Sequence, residues 1–276
     1  NGQLITLNTG SVASHYSYNS LGGLASESLS IDGNTFTLTY QTDNLGNKSS
    51  ITYPSGQVMN VKHNALSQQL RVGNYATNAK YHALGAIKSH NYGNGFMYSA
   101  TLNSAGLLAS TYDARSGTYA IKQAMTYDQK NNAYDLKATY DGLDRLNLIT
   151  DSYSGTGDVN YDTKGNITYY KIGSKSIGYA YDSLNRLNYT TGSKSYNFLY
   201  DSRGNVTSNG HDSFSYNVAG QMDEASGNTY VYDGHNRRVK TNDGSGLSYS
   251  MYSLSGQLMF RKVGGVNKDY YRLGGK

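Results

Sequence analysis

Residues 181–210 read "YDSLNRLNYTTGSKSYNFLYDSRGNVTSNG", and within this stretch a Tyr-Asp pair twice opens a short polar turn that leads into a run of β-type residues. The same phrase, or a variant of it, also begins at Tyr140-Asp141, Tyr161-Asp162, Tyr216-Asn217, Tyr232-Asp233 and Tyr252-Ser253. The chain is therefore built largely from one repeated unit.

The repeat has a period of about twenty residues. From Tyr140 to Tyr271, successive phrases are separated by 21, 20, 19, 16, 16, 20 and 19 residues. A period of this length predicts a repeat architecture in which each unit contacts mainly its neighbours. Upstream the phrase is degenerate but present, at Tyr18, Tyr53, His63, Tyr81 and Leu102. By this pattern the whole chain contains roughly fifteen units.

Each unit is predicted to be an antiparallel β-hairpin. Large side chains alternate with small ones before the turn, so that Tyr196, Phe198 and Tyr200 share one face, and the alternation resumes after the turn. The density of Gly and Ser, with no sustained apolar stripe at helical spacing, predicts little or no helix.

The turn residues are specific for a type I turn followed by a bulge. In "YDTKGNIT" the side chain of Asp162 can accept hydrogen bonds from amides of the turn, and Gly165 can supply the required positive φ. Asn185 stands where other units have Gly and tolerates the same conformation. The predicted structural residues are Tyr140, Asp141, Tyr161, Asp162, Gly165, Tyr181, Asp182, Tyr200, Asp201, Gly204, Tyr216, Gly220, Tyr232, Asp233, Tyr252 and Gly256.

Hairpins stacked side by side predict an all-β fold, a long sheet in which tyrosines form ladders. The composition has 29 Tyr and 32 Gly and is poor in aliphatic residues, so we expect neither face to need a conventional core. Because twisted sheets of this length do not stay flat, the sheet is expected to curl and enclose space.

Several functions are disfavoured by composition. The net charge of +5 is spread along the chain without a basic run, which argues against nucleic-acid binding. No apolar stretch approaches the ~20 residues of a membrane span. The chain has no Cys, so it carries neither a disulfide framework nor a thiolate metal site, and its compartment stays open on that ground.

No residue pattern points to an enzyme, and none points to a cofactor. The six His residues are scattered. Asp158, Asn160 and Asp162 imitate the start of a calcium loop, but Thr163 and Tyr169 replace the Gly and Glu that such a loop needs. Exposed tyrosines that stack on sugar rings would be an alternative, ligand-binding use of the same sheet, although the absence of Trp weakens it.

The phrases "YDGLDRLNLIT" (140–150), "YDTKGNITYY" (161–170), "YDSLNRLNYT" (181–190), "YDSRGNVTS" (200–208) and "YDGHNRRVK" (232–240) resemble the YD-repeat, or Rhs, family. The resemblance implies a hollow β-shell. It covers most of the chain and is strongest downstream of Tyr140. We therefore interpret residues 1–276 as a single shell region of a longer chain, with degenerate repeats in 1–139 and regular repeats in 140–276.

The resemblance also implies a function. Bacterial members include polymorphic toxins delivered by type VI secretion and the C subunits of Tc toxins, in which the shell surrounds a C-terminal toxin. The implied partners are that enclosed toxin domain and the delivery machinery, and the implied location is secreted. Teneurins use a similar shell at the cell surface, which leaves adhesion or binding of a glycan or receptor as the alternative. The self-cleavage segment of bacterial members contains Asp-Pro motifs; Pro54 is the sole Pro here, so no catalytic residue carries over.

Overall fold

The computed structural model describes residues 2–125, 127, 137–151 and 155–274. Over these residues the chain consists of β-strands joined by turns, with no helix. Where strands pair, consecutive strands of the chain lie antiparallel to each other, as β-hairpins do. The prediction of an all-β fold made of repeated antiparallel hairpins is confirmed.

The chain forms two compact units. The first combines Asn1–Ala124 with Gly227–Lys276, and the second is Met125–Ser226. The predicted extent of the shell region, and its division into degenerate and regular repeats at residue 140, stay predictions.

The amino-terminal part of the first unit is a sheet of twelve strands in chain order. The strands are β1 (Thr6–Thr9), β2 (Val12–Tyr18), β3 (Leu24–Ile31), β4 (Asn34–Thr42), β5 (Lys48–Thr52), β6 (Val58–His63), β7 (Gln69–Val72), β8 (Ala76–Tyr81), β9 (Ile87–Tyr92), β10 (Met97–Leu102), β11 (Leu108–Arg115) and β12 (Thr118–Ala124).

The second unit contains a seven-stranded sheet followed by two hairpins. The sheet consists of β13 (Lys137–Tyr140), β14 (Leu146–Asp151), β15 (Gly155–Tyr161), β16 (Ile167–Ile172), β17 (Lys175–Tyr181), β18 (Leu187–Gly192) and β19 (Tyr196–Asn197), and the hairpins of β20 (Leu199–Tyr200) with β21 (Val206–Ser208) and β22 (Phe214–Tyr216) with β23 (Met222–Ala225). The chain then returns to the first unit with β24 (Asn228–Tyr232), β25 (Arg238–Asp243), β26 (Gly246–Tyr252), β27 (Leu258–Val263) and β28 (Val266–Asp269).

The first unit has an apolar core between its amino-terminal sheet and its carboxy-terminal strands. Strand β4 alternates buried and exposed side chains, and its buried Phe36 lies 5.5 Å from Tyr249 and 5.4 Å from Phe260, centroid to centroid. Leu38 and Val239 are fully buried in the same cluster. The expectation that neither face needs a conventional core is wrong for this unit, because aliphatic residues sparse in the whole chain are concentrated on these facing strands.

A buried carboxylate also joins the two parts of this core. Glu27 on β3 is 1% exposed, Tyr40 on β4 donates its hydroxyl hydrogen bond to it, and the Leu254 amide donates to its second oxygen at 2.6 Å. The Lys48 ammonium lies 3.6 Å above the Tyr40 ring centroid. Burial raises the pKa of Glu27, and the hydrogen bonds from Tyr40 and Leu254 oppose this only partly.

The raised pKa predicts a pH dependence of stability. Because the folded chain binds the Glu27 proton more tightly than the unfolded chain, this group stabilises the fold below its ordinary value of 4.5, and that contribution is lost as the pH rises through the folded value. We expect Glu27→Gln to gain stability relative to the wild type as the pH is raised from about 4 to about 8, since the variant has no proton to lose.

The measurement is the free energy of unfolding in urea at each pH, taken as the difference between variant and wild type so that the shared carboxylates cancel. Glu224→Gln, which removes an exposed carboxylate, is the matched control for the loss of one negative charge. A slope of opposite sign for Glu27→Gln would contradict the assignment.

Candidate functional site: the repeated capped turn

The repeated turn is built around one side-chain oxygen. At Asp162, Oδ1 accepts hydrogen bonds from the amides of Lys164 at 2.8 Å and Asn166 at 2.9 Å. The backbone closes the same turn, because the Gly165 amide donates to the Asp162 carbonyl at 3.1 Å and the Asp162 amide to the Asn166 carbonyl at 2.9 Å. The Asn166 side chain also donates to Oδ2 of Asp162. This bond and the two amide bonds to Oδ1 lower the pKa of Asp162.

The same oxygen cap recurs along the chain. In each case an Asp or Asn oxygen accepts the amides of the second and fourth residues after it. The capping residues, besides Asp162, are Asn19, Asp43, Asn64, Asn103, Asp141, Asp182, Asp201, Asn217 and Asp233. Ser253 caps more weakly, through the Gln257 amide at 3.1 Å.

The third residue after the cap adopts a left-handed conformation. Gly165 has a φ of 88°, and Asn185 at the equivalent position has a φ of 65°. A residue with a branched β-carbon would be strained there, whereas Gly is free and Asn is the next most tolerant. The strand pairing shifts by one residue just before the turn, between Asn160 and Tyr161 and again between Ala180 and Tyr181. The turn is thus a capped type I turn with a bulge.

The tyrosine before the cap bonds to the preceding repeat. The hydroxyl of Tyr161 donates to the Leu146 carbonyl at 2.7 Å, and that of Tyr181 donates to the Ile167 carbonyl at 2.8 Å. Tyr200 donates to the Leu187 carbonyl in the same way. Each acceptor is the first residue of the strand that follows the previous turn. At these three repeats one side chain therefore connects a hairpin to the one before it.

An arginine at the end of some turns makes a second link. Nε of Arg186 donates to Asp182 at 2.8 Å, and its guanidinium carbon lies 4.4 Å from the Tyr200 ring centroid in the next repeat. Arg145 joins Asp141 to Tyr161 with a corresponding distance of 4.3 Å. The carboxylate fixes the orientation of the guanidinium, which lies over the tyrosine ring of the next repeat.

Turns with Gly at the left-handed position end differently. In the turns capped by Asp162 and Asp201 the last residue is Asn, and Asn166 and Asn205 return their side-chain amides to Asp162 and Asp201 at 2.8 Å. Where Asp or Asn occupies the left-handed position, as at Asp144, Asn185 and Asn236, the next residue is Arg. Two versions of the turn therefore occur, one in which the last side chain bonds to its own cap and one in which it also contacts the next repeat.

Each sequence-predicted residue lies at the turn of its own hairpin. In the first unit Asp233 is 2% exposed and Arg237 carries its link onward, with Nη1 donating to the Ser253 carbonyl at 2.6 Å. Tyr140 is 55% exposed, the most open of the repeat tyrosines named from the sequence. The other predicted positions, Gly204, Gly220 and Gly256 at positive φ and Tyr216, Tyr232 and Tyr252 before the caps, occupy the equivalent places.

The sequence pattern missed two turns and placed a third one residue out of register. The turns at Asp43 and Tyr92 have the backbone bonds of the repeat but lack a Tyr before the cap. The spacing from Asp43 through Gly46 to Asn47 is the signal that could have revealed the first. The expectation that Tyr53 matches the other tyrosines is wrong by one residue, since Tyr53 stands at the capping position and donates to the Tyr270 carbonyl at 3.0 Å.

Neither a cluster of candidate metal ligands nor a membrane-spanning helix occurs in the described ranges. They contain no group of three or more His, Cys, Asp or Glu placed to hold a metal ion. Nor does any helix in those ranges have the length and apolar character that crossing a membrane requires.

The fold is similar to part of the Tc toxin complexes. TcdB2-TccC3 without its hypervariable C-terminal region matches with a TM-score of 0.59 and 12% identity, over 96% of this chain and 17% of its own. The Photorhabdus luminescens Tc holotoxin pore with mutated TccC3 matches with a TM-score of 0.53 and 13% identity, over 94% of this chain and 16% of its own. TcdB2-TccC3-Cdc42 matches with a TM-score of 0.52 and 11% identity, over 97% of this chain and 18% of its own.

No family model matches the sequence, and no curated protein matches it. At such low identities the likeness establishes the fold. This chain spans 17% of the length of the first of those structures, so the fold is that of one part of a longer assembly.

The cap can be tested with two variants of one residue. Asp182→Ala removes the acceptor of two amides and the partner of Arg186, and is expected to lower the free energy of unfolding measurably. Asp182→Asn keeps the amide acceptor, as Asn217 does naturally, and is expected to cost less than half as much. Urea unfolding measures both, and equal losses would show that the cap itself contributes little.

The tyrosine link has its own test. Tyr181→Phe removes the hydroxyl that donates to the Ile167 carbonyl and is expected to cost about 0.5–1 kcal/mol of unfolding free energy. Tyr189→Phe is the matched control, because the Tyr189 hydroxyl makes no hydrogen bond to another described residue of the same unit. Equal effects of the two variants in urea would argue against a hydroxyl link between repeats.

Proposed function

We propose that this chain forms part of the wall of an Rhs-type shell that encloses a C-terminal toxic effector until delivery into a target cell. The observation that carries the proposal is the match of 96% of the chain to TcdB2-TccC3, together with the Tyr-Asp repeat. That similar structure is described without a hypervariable C-terminal region, which supports a variable partner at the carboxyl end of such a chain.

The turn geometry suits a wall that has to be long. Several consecutive hairpins are joined by a tyrosine hydroxyl, at Tyr161, Tyr181 and Tyr200, and some also by an arginine, so the same stabilising contacts recur from one repeat to the next. In a structure of this kind stability grows as repeats are added, beyond what the apolar core of the first unit supplies. A wall can then extend around a guest far larger than any pocket.

The proposed mechanism is containment without catalysis. The chain is rich in Gly, Tyr and polar residues and has a mean hydropathy of -0.62, so a partly folded guest meets few apolar surfaces to bind. The same wall denies the guest access to its targets until the shell is delivered outside the producing bacterium. No cofactor has a part in this mechanism, and the partners are the guest and the delivery machinery.

The test uses the full-length natural protein and the lack of Cys in this chain. A single cysteine is placed in the domain carboxy-terminal to the shell, with other cysteines removed, and its reaction with a polyethylene-glycol maleimide is timed. The reference is Leu184→Cys, at a turn position that is 70% exposed. Enclosure predicts that the guest cysteine reacts at least roughly a hundredfold more slowly than the reference, and at the same rate once urea opens the shell.

Size-exclusion chromatography and intact mass complete the experiment. Fragments that co-elute natively but separate in denaturant would support a cleaved guest held inside. Equal maleimide rates in native buffer would overturn containment and favour the alternative role, adhesion or ligand binding by the surface of the sheet.

A further inference from the structure

The first unit contains a cavity of about 380 Å³ that the wall function does not use. It lies between strands β7 to β10 and the segment 271–273 that follows β28. Its floor is apolar and buried, formed by Val72, Ile87 and Leu273 at 3%, 9% and 7% exposure. Cavities of a few hundred Å³ with an apolar floor are the usual size and character of small-molecule sites.

The walls of the cavity are aromatic rings held in pairs. Tyr75 and Tyr271 stack with centroids 4.7 Å apart and ring planes 30° apart. His90 and Tyr98, on neighbouring strands, stack at 5.2 Å and 24°, and Tyr92 meets His90 edge-on at 4.5 Å. Pre-ordered flat surfaces on both sides favour a planar ring as the ligand.

One polar atom in this wall has no partner. His90 is 8% exposed, and its buried Nδ1 has no hydrogen bond of ordinary geometry within the described residues, although the Asn91 backbone lies close enough to act on the ring. Such an orphan inside a cavity calls for a ligand or water that can bond to it. Burial lowers the pKa of His90 and so favours the neutral imidazole, in which one of the two ring nitrogens is a hydrogen-bond acceptor.

The charged side chain at the mouth is a cation, and a carboxylate lies behind the wall at Asp269, which accepts a hydrogen bond from the Tyr271 hydroxyl at 3.4 Å. Arg272 lines the cavity and is exposed, and in the described part of the chain it pairs with no carboxylate. No Asp or Glu is among the lining residues. Asp113 lies behind the rings, directly opposite Tyr98 on β11, and with burial it raises the pKa of Tyr92 to about 12, so this hydroxyl stays protonated.

We propose that this cavity binds a small aromatic carboxylate. The ligand ring lies between the Tyr75–Tyr271 pair and the His90–Tyr98 pair, its carboxylate faces the Arg272 guanidinium at the mouth, and a hydroxyl or N–H on the ring donates to Nδ1 of His90. For a ligand of about a dozen heavy atoms, a dissociation constant of about 0.1–1 mM is expected.

The experiment compares two ligands that share a ring and differ in charge. The 276-residue chain is titrated calorimetrically with 4-hydroxyphenylacetate and with tyramine, which carries an ammonium in place of the carboxylate. 4-Hydroxyphenylacetate is expected to bind about tenfold or more tightly than tyramine. Phenylacetate, which lacks the hydroxyl, is expected to bind several-fold more weakly than its hydroxylated relative.

Two exposed cations give a matched pair of variants. Arg272→Gln is expected to weaken 4-hydroxyphenylacetate binding about tenfold, whereas Lys62→Gln, at a neighbouring cavity, leaves it unchanged. His90→Phe should remove the preference for the hydroxylated ligand while circular dichroism shows an intact fold.

Two results would overturn the proposal. One is the absence of binding heat with either ligand at about 10 mM, and the other is an equal effect of Arg272→Gln and Lys62→Gln on binding. Tighter binding of tyramine would overturn it too and indicate an aromatic cage for cations. None of these outcomes bears on the maleimide test of containment.

Discussion

Everything in the repeat depends on one interaction, the Asp or Asn oxygen that accepts two amides of the turn following it. At Asp162 these amides belong to Lys164 and Asn166, and they would otherwise point into the turn without partners. Once the cap closes the turn, the residue at the third position must take a positive φ, and the strand before it must carry a bulge. The bulge in turn sets the direction of the tyrosine that reaches back to the previous hairpin.

The two versions of the turn show how the same cap serves two ends. In some turns with Gly at the left-handed position, the next residue is an Asn that bonds back to its own capping Asp, as Asn166 does to Asp162. Asp or Asn at that position comes with an Arg long enough to lie over the tyrosine of the next repeat, as Arg186 does over Tyr200. Because planar guanidinium groups both pair with carboxylates and stack on rings, one side chain can connect two hairpins.

The first unit adds what the repeat alone cannot supply. Its strands carry the buried aliphatic and aromatic residues of the chain, and residues far apart in sequence meet there, such as Phe36 with Tyr249 and Glu27 with Leu254. A buried carboxylate between facing strands is costly unless its oxygens are bonded, and both oxygens of Glu27 are. The repeat thus makes the sheet, whereas local departures from the repeat decide where it packs.

The sequence by itself determined the period, the hairpins, the capped turn and the bias to an all-β fold, because these depend on residues within about ten positions of one another. It also located Asp162, Gly165 and their equivalents, since the turn requires those residue types. The turn at Asp43 was missed because its strand lacks the tyrosine. The tertiary structure alone decided which strands face each other, why Glu27 is buried and how Arg272 comes to lie at the mouth of an aromatic cavity. Alternation along a strand reveals two faces, but nothing local records which distant segment covers one of them.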